Sequence, residues 1–171
     1  MQRFRVTARV LVAAGLFLCV GQIVACGPGR QEQSPVIGVW QVAEVTTTGP
    51  NGRTVTNPQP GLFIFTAGHY AQERVTADTP RAELPPADQR TDKQVADAFG
   101  PFAANAGTYE IKDNEITIRR AVAKDPTAMK AGNLQILTFR TESKDALWLT
   151  TKANQTGPVQ NPTTIKLTRI E

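Results

Sequence analysis

The chain has 171 residues, a length that fits a single domain. It carries 19 Lys and Arg against 15 Asp and Glu, but Arg3, Arg5 and Arg9 lie in an opening segment without acids. The remainder is almost neutral, with 16 basic and 15 acidic residues. Because Arg119 and Arg120 form the only adjacent basic pair in that remainder, the charge pattern argues against nucleic acid as a partner.

The first 25 residues have the plan of a secretory signal peptide, with positive charge followed by an apolar run. The run over residues 10–25 is shorter than the about 20 apolar residues that a membrane-spanning helix needs. It ends in Ile-Val-Ala-Cys, which resembles the lipoprotein box of bacteria. The resemblance implies a signal peptide over residues 1–25, lipidation of Cys26, a flexible tether over residues 26–35, and a lipid-anchored location in the cell envelope.

The cysteine count fits this interpretation. Cys19 lies inside the segment that would be removed, so Cys26 remains as a single thiol and the mature chain has no disulfide. Acylation would protect that thiol from oxidation. The open alternative is ordinary signal cleavage after Ala25, which leaves Cys26 as a free terminal thiol.

Residues 36–171 are expected to be mostly β-structure. Short segments rich in Val, Ile, Thr and aromatic residues alternate there with polar turns such as Asn51-Gly52. Eight strands are predicted, at residues 36–48, 61–66, 69–76, 108–111, 115–122, 134–141, 146–152 and 163–170. Regular short strands with close turns predict an all-β sandwich or barrel.

One segment departs from the strand pattern and predicts a short helix. Its apolar residues follow helical spacing, at Val95, Ala98, Phe99 and Phe102. Thr91 with Gln94 forms a capping box before the helix, and Pro101 ends or kinks it. Because both faces of the strand at residues 61–66 are apolar, we expect the helical stripe to cover the outer face of that strand.

Three motifs resemble the lipocalin-like domains of bacteria: GVW, GLFIFTAGHY and AGTYEI, at residues 38–40, 61–70 and 106–111. The resemblance covers residues 36–171 and implies an eight-stranded, mainly antiparallel lipocalin-like barrel or half-barrel with one short helix. It also implies that Trp40 closes one end and that Arg169 packs over it, so both residues are assigned structural roles. Lipocalin relatives generally bind small hydrophobic molecules, which implies a ligand of that kind here.

The sequence offers little catalytic chemistry. After the signal segment, His69 is the only histidine, and it follows a glycine in a predicted turn. Relatives often carry histidines on the strand after AGTYEI, whereas residues 115–120 carry arginines, so activities that need those histidines are not expected. One histidine and scattered acids supply no metal site. We therefore assign no catalytic residue, metal ligand or cofactor, and we expect a monomer.

The interior of the predicted barrel is the expected site. Side chains alternate between the inside and the outside along each strand, and a small barrel either is filled or holds one ligand. Ligand contacts are predicted from Phe63, Phe65, Tyr70, Arg74, Tyr109, Arg119 and Trp148. The alternative is that the tyrosines stand at strand ends and the arginines on solvent faces.

Two functions from different classes fit this sequence. The first is a lipid-anchored binding protein for a small hydrophobic or amphipathic ligand. The second is an interaction or structural module of the cell envelope, with its barrel filled by side chains. An isomerase or cyclase that works by pocket shape is a third and weaker alternative. A cavity of about 300 Å³ or more separates the first from the second.

Overall fold

The structure is a computed structural model, which describes residues 34–171. Over these residues the chain forms ten strands and one α-helix, α1 (Asp92–Phe99). The strands are β1 (Gly38–Thr47), β2 (Arg53–Val55), β3 (Gly61–Phe65), β4 (His69–Val75), β5 (Phe102–Lys112), β6 (Glu115–Ala123), β7 (Gln135–Ser143), β8 (Ala146–Asn154), β9 (Gly157–Pro158) and β10 (Thr163–Arg169). The predicted signal peptide, Cys26 and most of the predicted tether lie outside the described residues.

Eight of the strands form a closed barrel. They pair in the order β10-β1-β3-β4-β5-β6-β7-β8, each with its neighbours antiparallel, and β8 pairs with β10 to complete the ring. Two short strands lie outside this ring: β2 pairs with β1, and β9 pairs with β8, each antiparallel. The prediction of an eight-stranded antiparallel lipocalin-like barrel with one short helix is confirmed, and the barrel is closed rather than half-open.

Strand β5 begins six residues earlier than the sequence pattern predicted. Residues 102–107 are mostly alanine and glycine, which have low intrinsic strand propensity. Each of them nevertheless pairs with β4, from Phe102 opposite Val75 to Gly107 opposite Tyr70. Hydrogen bonding to the neighbouring strand therefore overrides the weak local preference.

Helix α1 begins where the sequence predicted. The Thr91 hydroxyl accepts from the backbone N–H of Gln94 at 3.3 Å, and the Gln94 side chain accepts from the backbone N–H of Thr91 at 2.9 Å. The helix ends at Phe99. Phe102 was predicted to continue the helical stripe but is the first residue of β5, because Pro101 has no N–H to continue the helix.

The helix does not cover the outer face of β3, so that expectation was wrong. Only Ala98 of the stripe is buried, whereas Val95 is 37% exposed and Phe99 is 49% exposed. Leu62, on the outer face of β3, is itself 37% exposed. The C-terminal end of the helix is instead held by the Lys124 ammonium, which donates to the carbonyl of Phe99.

Among residues 34–171, no helix is long and apolar enough to cross a membrane.

The hydrophobic core fills the end of the barrel at which β1 begins and β10 ends, which we call the closed end. The buried side chains there come from all eight barrel strands and include Trp40, Phe63, Phe65, Tyr109, Ile116, Leu137, Leu147 and Leu167. The Phe65 ring meets the Tyr109 ring edge-on, with 5.3 Å between centroids, and lies 6.3 Å from the Tyr70 ring. The interior is therefore filled at this end, and the space left inside the barrel lies toward the opposite end.

Candidate functional site

The closed end is sealed by Trp40 and Arg169. Trp40 is completely buried, and its indole N–H donates to the Val36 carbonyl at 2.8 Å. The Arg169 guanidinium lies over the indole, with its central carbon 4.0 Å from the ring centroid. It also donates to the Ile37 carbonyl at 2.7 Å and to the Pro35 carbonyl at 3.2 Å. This cation therefore joins the entry of the chain to the last strand.

The opposite end, at which β5 begins and β6 ends, contains a cavity of about 450 Å³. We call it the open-end cavity. Strands β5, β6, β7 and β8 supply its wall through the inward side chains of Asn105, Arg120, Gln135 and Thr151. The next inward positions toward the closed end are Gly107, Ile118, Leu137 and Leu149, all of them buried. These four polar residues therefore form the floor of the cavity, directly above the core.

The polar floor is linked by hydrogen bonds. The Tyr70 hydroxyl donates to Asn105 Oδ1 at 2.6 Å. Arg120 Nη2 donates to Gln135 Oε1, and Gln135 Nε2 donates to Thr151 Oγ1 at 3.5 Å. Side chains from five strands are thus held in fixed positions where the core ends.

Tyr70 of this network and Tyr109 of the core both have a pKa raised by burial. Burial raises the pKa of Tyr70 to about 12, although the positive charge of Arg120 acts in the opposite direction. Burial also raises the pKa of Tyr109, whose hydroxyl donates to the Thr66 carbonyl at 2.5 Å. The atom of Asn105 that faces the Tyr70 hydroxyl is Oδ1, and because an amide oxygen only accepts, the hydroxyl is the donor.

A second, smaller hollow of about 170 Å³ lies at the same end of the barrel, between β1, β2, β4 and β10. Arg74 lines it, and the Nε atom of this side chain is buried without a hydrogen-bond partner. Burial lowers the pKa of Arg74 because it removes water from the charged guanidinium. The nearby Arg53 and Asp78 pair with each other at 2.5 Å. Arg74 is thus a second cation at the open end.

The structure separates the residues predicted to bind a ligand. Phe63, Phe65 and Tyr109 are buried in the core and do not line the open-end cavity. Tyr70 is also buried but reaches the floor through Asn105. Arg74 lines the second hollow.

Arg119 and Trp148 do not face the interior, which corrects their assignment. On β6, Ile116 and Ile118 point inward, so alternation turns Arg119 outward and brings Arg120 inside. On β8, Leu147 and Leu149 are buried, so Trp148 lies on the outer surface. There its indole N–H donates to Glu142 at 3.0 Å, and the guanidinium of Arg140 lies 5.2 Å from its ring centroid.

Four floor residues were missed by sequence reasoning: Asn105, Arg120, Gln135 and Thr151. A signal for Arg120 was present, because it continues the inward alternation of Ile116 and Ile118. No comparable signal marked Asn105, since the sequence pattern did not predict a strand there. Which side chains of β6 face the cavity also depends on a bulge in this strand. Gly107 pairs with Arg120 and Ala106 pairs with Val122, so the residue between Arg120 and Val122 has no partner on β5.

The cavity lacks the groups of a metal or histidine-dependent site. Within residues 34–171, no cluster of three or more His, Cys, Asp or Glu is positioned to hold a metal ion. His69 is exposed at the start of β4, which is at the closed end and therefore distant from the cavity. The described floor is thus suited to binding through hydrogen bonds and charge.

A closed antiparallel barrel with one sealed end and one open end is the architecture of lipocalin-like proteins. A family model for a lipocalin-like domain matches residues 37–169, and the chain belongs to this family. The fold is one that commonly binds small hydrophobic ligands and is typically not enzymatic. A search of curated proteins gives no match to this chain.

Solved structures of similar shape include two bacterial proteins and one redesigned β-barrel. A lipocalin-like protein from Bacteroides uniformis is 13% identical, with 80% of this chain and 99% of that chain covered and a TM-score of 0.44. An uncharacterized protein from Bacteroides eggerthii is 12% identical, with coverages of 77% and 98% and a TM-score of 0.42. The redesigned barrel is 16% identical, with coverages of 81% and 95% and a TM-score of 0.41.

Proposed function

We propose that this protein is a monomeric lipoprotein of the bacterial cell envelope that binds a small amphipathic ligand in the open end of its barrel. The observation that carries the proposal is the open-end cavity of about 450 Å³. Its volume falls within the range of about 300–1,000 Å³ that is usual for small-molecule sites. The packed closed end supports the site as a rigid scaffold.

The composition of the cavity favours an amphipathic ligand over a fully apolar one. Its floor is polar, whereas its side wall includes the inward-facing Ala103 and Ala123. Covering these polar groups with a ligand that offers no hydrogen bonds would cost free energy. A molecule with one polar and one apolar end satisfies both parts of the wall.

The first described residues lie at the closed end of the barrel, opposite the cavity. Arg169 holds Pro35 and Ile37 at the closed end, so the chain enters the barrel at the end opposite the cavity. Lipidation of Cys26, together with location in the envelope, completes the proposal.

Native mass spectrometry of the full-length protein from its own host tests ligand binding. We expect a bound small molecule that is lost when Ala123 in the cavity wall is replaced by Trp. Val122→Trp is the matched control, because Val122 is the adjacent residue and is 59% exposed on the outer face. Thermal unfolding of both variants monitors their folding.

Two results would count against a binding function. One is a bare protein mass with no thermal shift across a panel of fatty acids and isoprenoids. The other is a bound molecule that the Ala123→Trp variant retains in full. The first result would favour an envelope interaction module whose barrel is effectively filled.

A further inference from the structure

In the described part of the chain, two arginines at the open end of the barrel, Arg74 and Arg120, have no acidic side chain paired with them. Among the described residues, neither Arg74 nor Arg120 lies within salt-bridge distance of a carboxylate. Asp125 is the one acid on the cavity wall, and it is exposed and accepts from the backbone N–H of Thr127 at 2.9 Å. Lys124, at the lip, already donates to backbone carbonyls, including that of Phe102 at 2.8 Å. Arg120 is therefore the cation available at the floor.

The direction of the hydrogen bonds leaves donors rather than acceptors facing the cavity. Asn105 Oδ1 accepts from Tyr70, so the two N–H groups of the Asn105 amide remain for a ligand. Gln135 Oε1 accepts from one nitrogen of Arg120, so the remaining guanidinium N–H groups also remain. Each of these two amide oxygens thus already accepts one hydrogen bond within the protein.

We propose that the ligand carries an oxyanion head group, such as a carboxylate, that is bound on the cavity floor by Arg120 and the Asn105 amide. This inference rests on the proposed function and specifies its ligand class. Guanidinium groups bind carboxylates and phosphates through charge-assisted hydrogen bonds, which are stronger than those between neutral groups. Partial burial strengthens the attraction, because the medium around Arg120 is less polar than water.

The ligand enters with its head group first. Along β6 the inward residues run from Ile118 through Arg120 to Ala123, so the guanidinium lies deeper than the alanines. The apolar part of the wall, with Ala103 and Ala128, lies closer to the lip. An aliphatic chain extending outward from Arg120 therefore contacts the apolar wall.

The test uses ligands that share one ten-carbon chain and differ in head group: decanoate, decyl phosphate, decanol and decyltrimethylammonium. Isothermal titration calorimetry of the full-length protein, below the micelle concentrations of these ligands, measures each affinity. We expect at least one anion to bind about tenfold or more tightly than decanol, the effect of a charged hydrogen-bonding partner. The cation is expected to bind most weakly. The preferred anion distinguishes a carboxylate from a phosphate head group.

Arg120→Gln should abolish this preference for anions while decanol binding continues. Arg119→Gln is the matched control, because it removes the same charge from the adjacent exposed position and should leave the preference unchanged. Arg120→Lys should retain part of the preference, and thermal unfolding shows whether each variant is folded.

The outcomes separate the two proposals. Equal binding of the anions and decanol, or an anion preference that survives Arg120→Gln, overturns the head-group inference and leaves the binding function intact. Failure of all four ligands to bind the wild-type protein overturns the head-group inference. If the protein from its own host also carries no ligand, the binding function fails with it.

Discussion

The central carbon of the Arg169 guanidinium lies 4.0 Å from the centroid of the Trp40 ring, and this pair seals the closed end of the barrel. The two residues are directly opposite each other in the pairing of β1 with β10. The arginine additionally donates to carbonyls at Pro35, Ile37 and Lys144. The Arg169 side chain therefore connects the segment before β1, the β7–β8 turn and the Trp40 indole.

Replacing Arg169 by Gln should destabilise the fold by about 2–4 kcal/mol, since both the cation–π contact and several hydrogen bonds are lost. Urea unfolding measures the change in the free energy of unfolding. Arg140→Gln is the matched control, because Arg140 is exposed and lies over Trp148 on the outer surface at 5.2 Å. That change should cost less than about 1 kcal/mol. Equal effects of the two changes would contradict the structural role of Arg169.

Gly107→Ala should destabilise the barrel by about 1–3 kcal/mol or more, because a Cβ at this position would lie 2.0 Å from the Arg119 carbonyl oxygen. The β6 bulge brings its backbone this close to β5. Gly68→Ala is the control, since an added Cβ there meets no atom within 4 Å. Thermal unfolding compares the two variants, and similar melting temperatures would show that the bulge does not require glycine.

The stability of the protein should fall as the pH rises from about 10 to about 12. The pKa of Tyr70 is raised to about 12 by burial in the folded state, whereas unfolded tyrosine has a pKa of about 10. The unfolded chain therefore loses this proton first, so the contribution of Tyr70 is complete below pH 10 and is lost as the pH approaches 12.

Urea unfolding at a series of pH values measures this dependence, and Tyr70→Phe should flatten it. Tyr70 and Tyr109 are the only two tyrosines of the chain, so the tyrosinate absorbance of a Tyr109→Phe variant reports Tyr70 alone. Its midpoint is expected near pH 12. A midpoint near 10, or parallel stability curves for Tyr70→Phe and the wild type, would refute the assignment.

Cys26→Ser should release the protein from the membrane fraction, because the substitution removes the thiol that the lipid requires. Cys19→Ser is the matched control, since Cys19 lies in the predicted signal segment and its loss should leave anchoring unchanged. Fractionation of bacterial cells followed by immunoblotting measures both. Continued anchoring of the Cys26→Ser protein would mean that the apolar segment itself spans the membrane.

The barrel was predictable because its main strands satisfy local rules. A continuous apolar run marks β3, alternation of apolar residues marks β6, and the turn at residues 113–114 joins β5 to β6. The capping box at Thr91 and Gln94 predicted the start of α1, because its two partners are only three residues apart in the sequence. The alanine-rich start of β5 was missed, because its strand conformation comes from pairing with β4.

The candidate site was only partly predictable. Arg74 was predicted as a ligand contact and lines the second hollow, whereas Arg119 was chosen where Arg120 faces the interior. The bulge in β6 further moves Val122 outside, where it is 59% exposed, and brings Ala123 to the cavity wall. A bulge depends on how two strands meet, so the residues of one strand do not reveal it.

By itself the sequence determined the all-β class of fold and the nearly neutral charge of residues 26–171, because alternation, turn residues and composition are local properties. The closed-end pair of Trp40 and Arg169 was expected only from the resemblance to lipocalin-like domains. Only the tertiary structure decided that the aromatic side chains fill one end and that a polar floor lies at the other. That division depends on the register among eight strands, which brings Asn105, Arg120, Gln135 and Thr151 together from positions up to 46 residues apart.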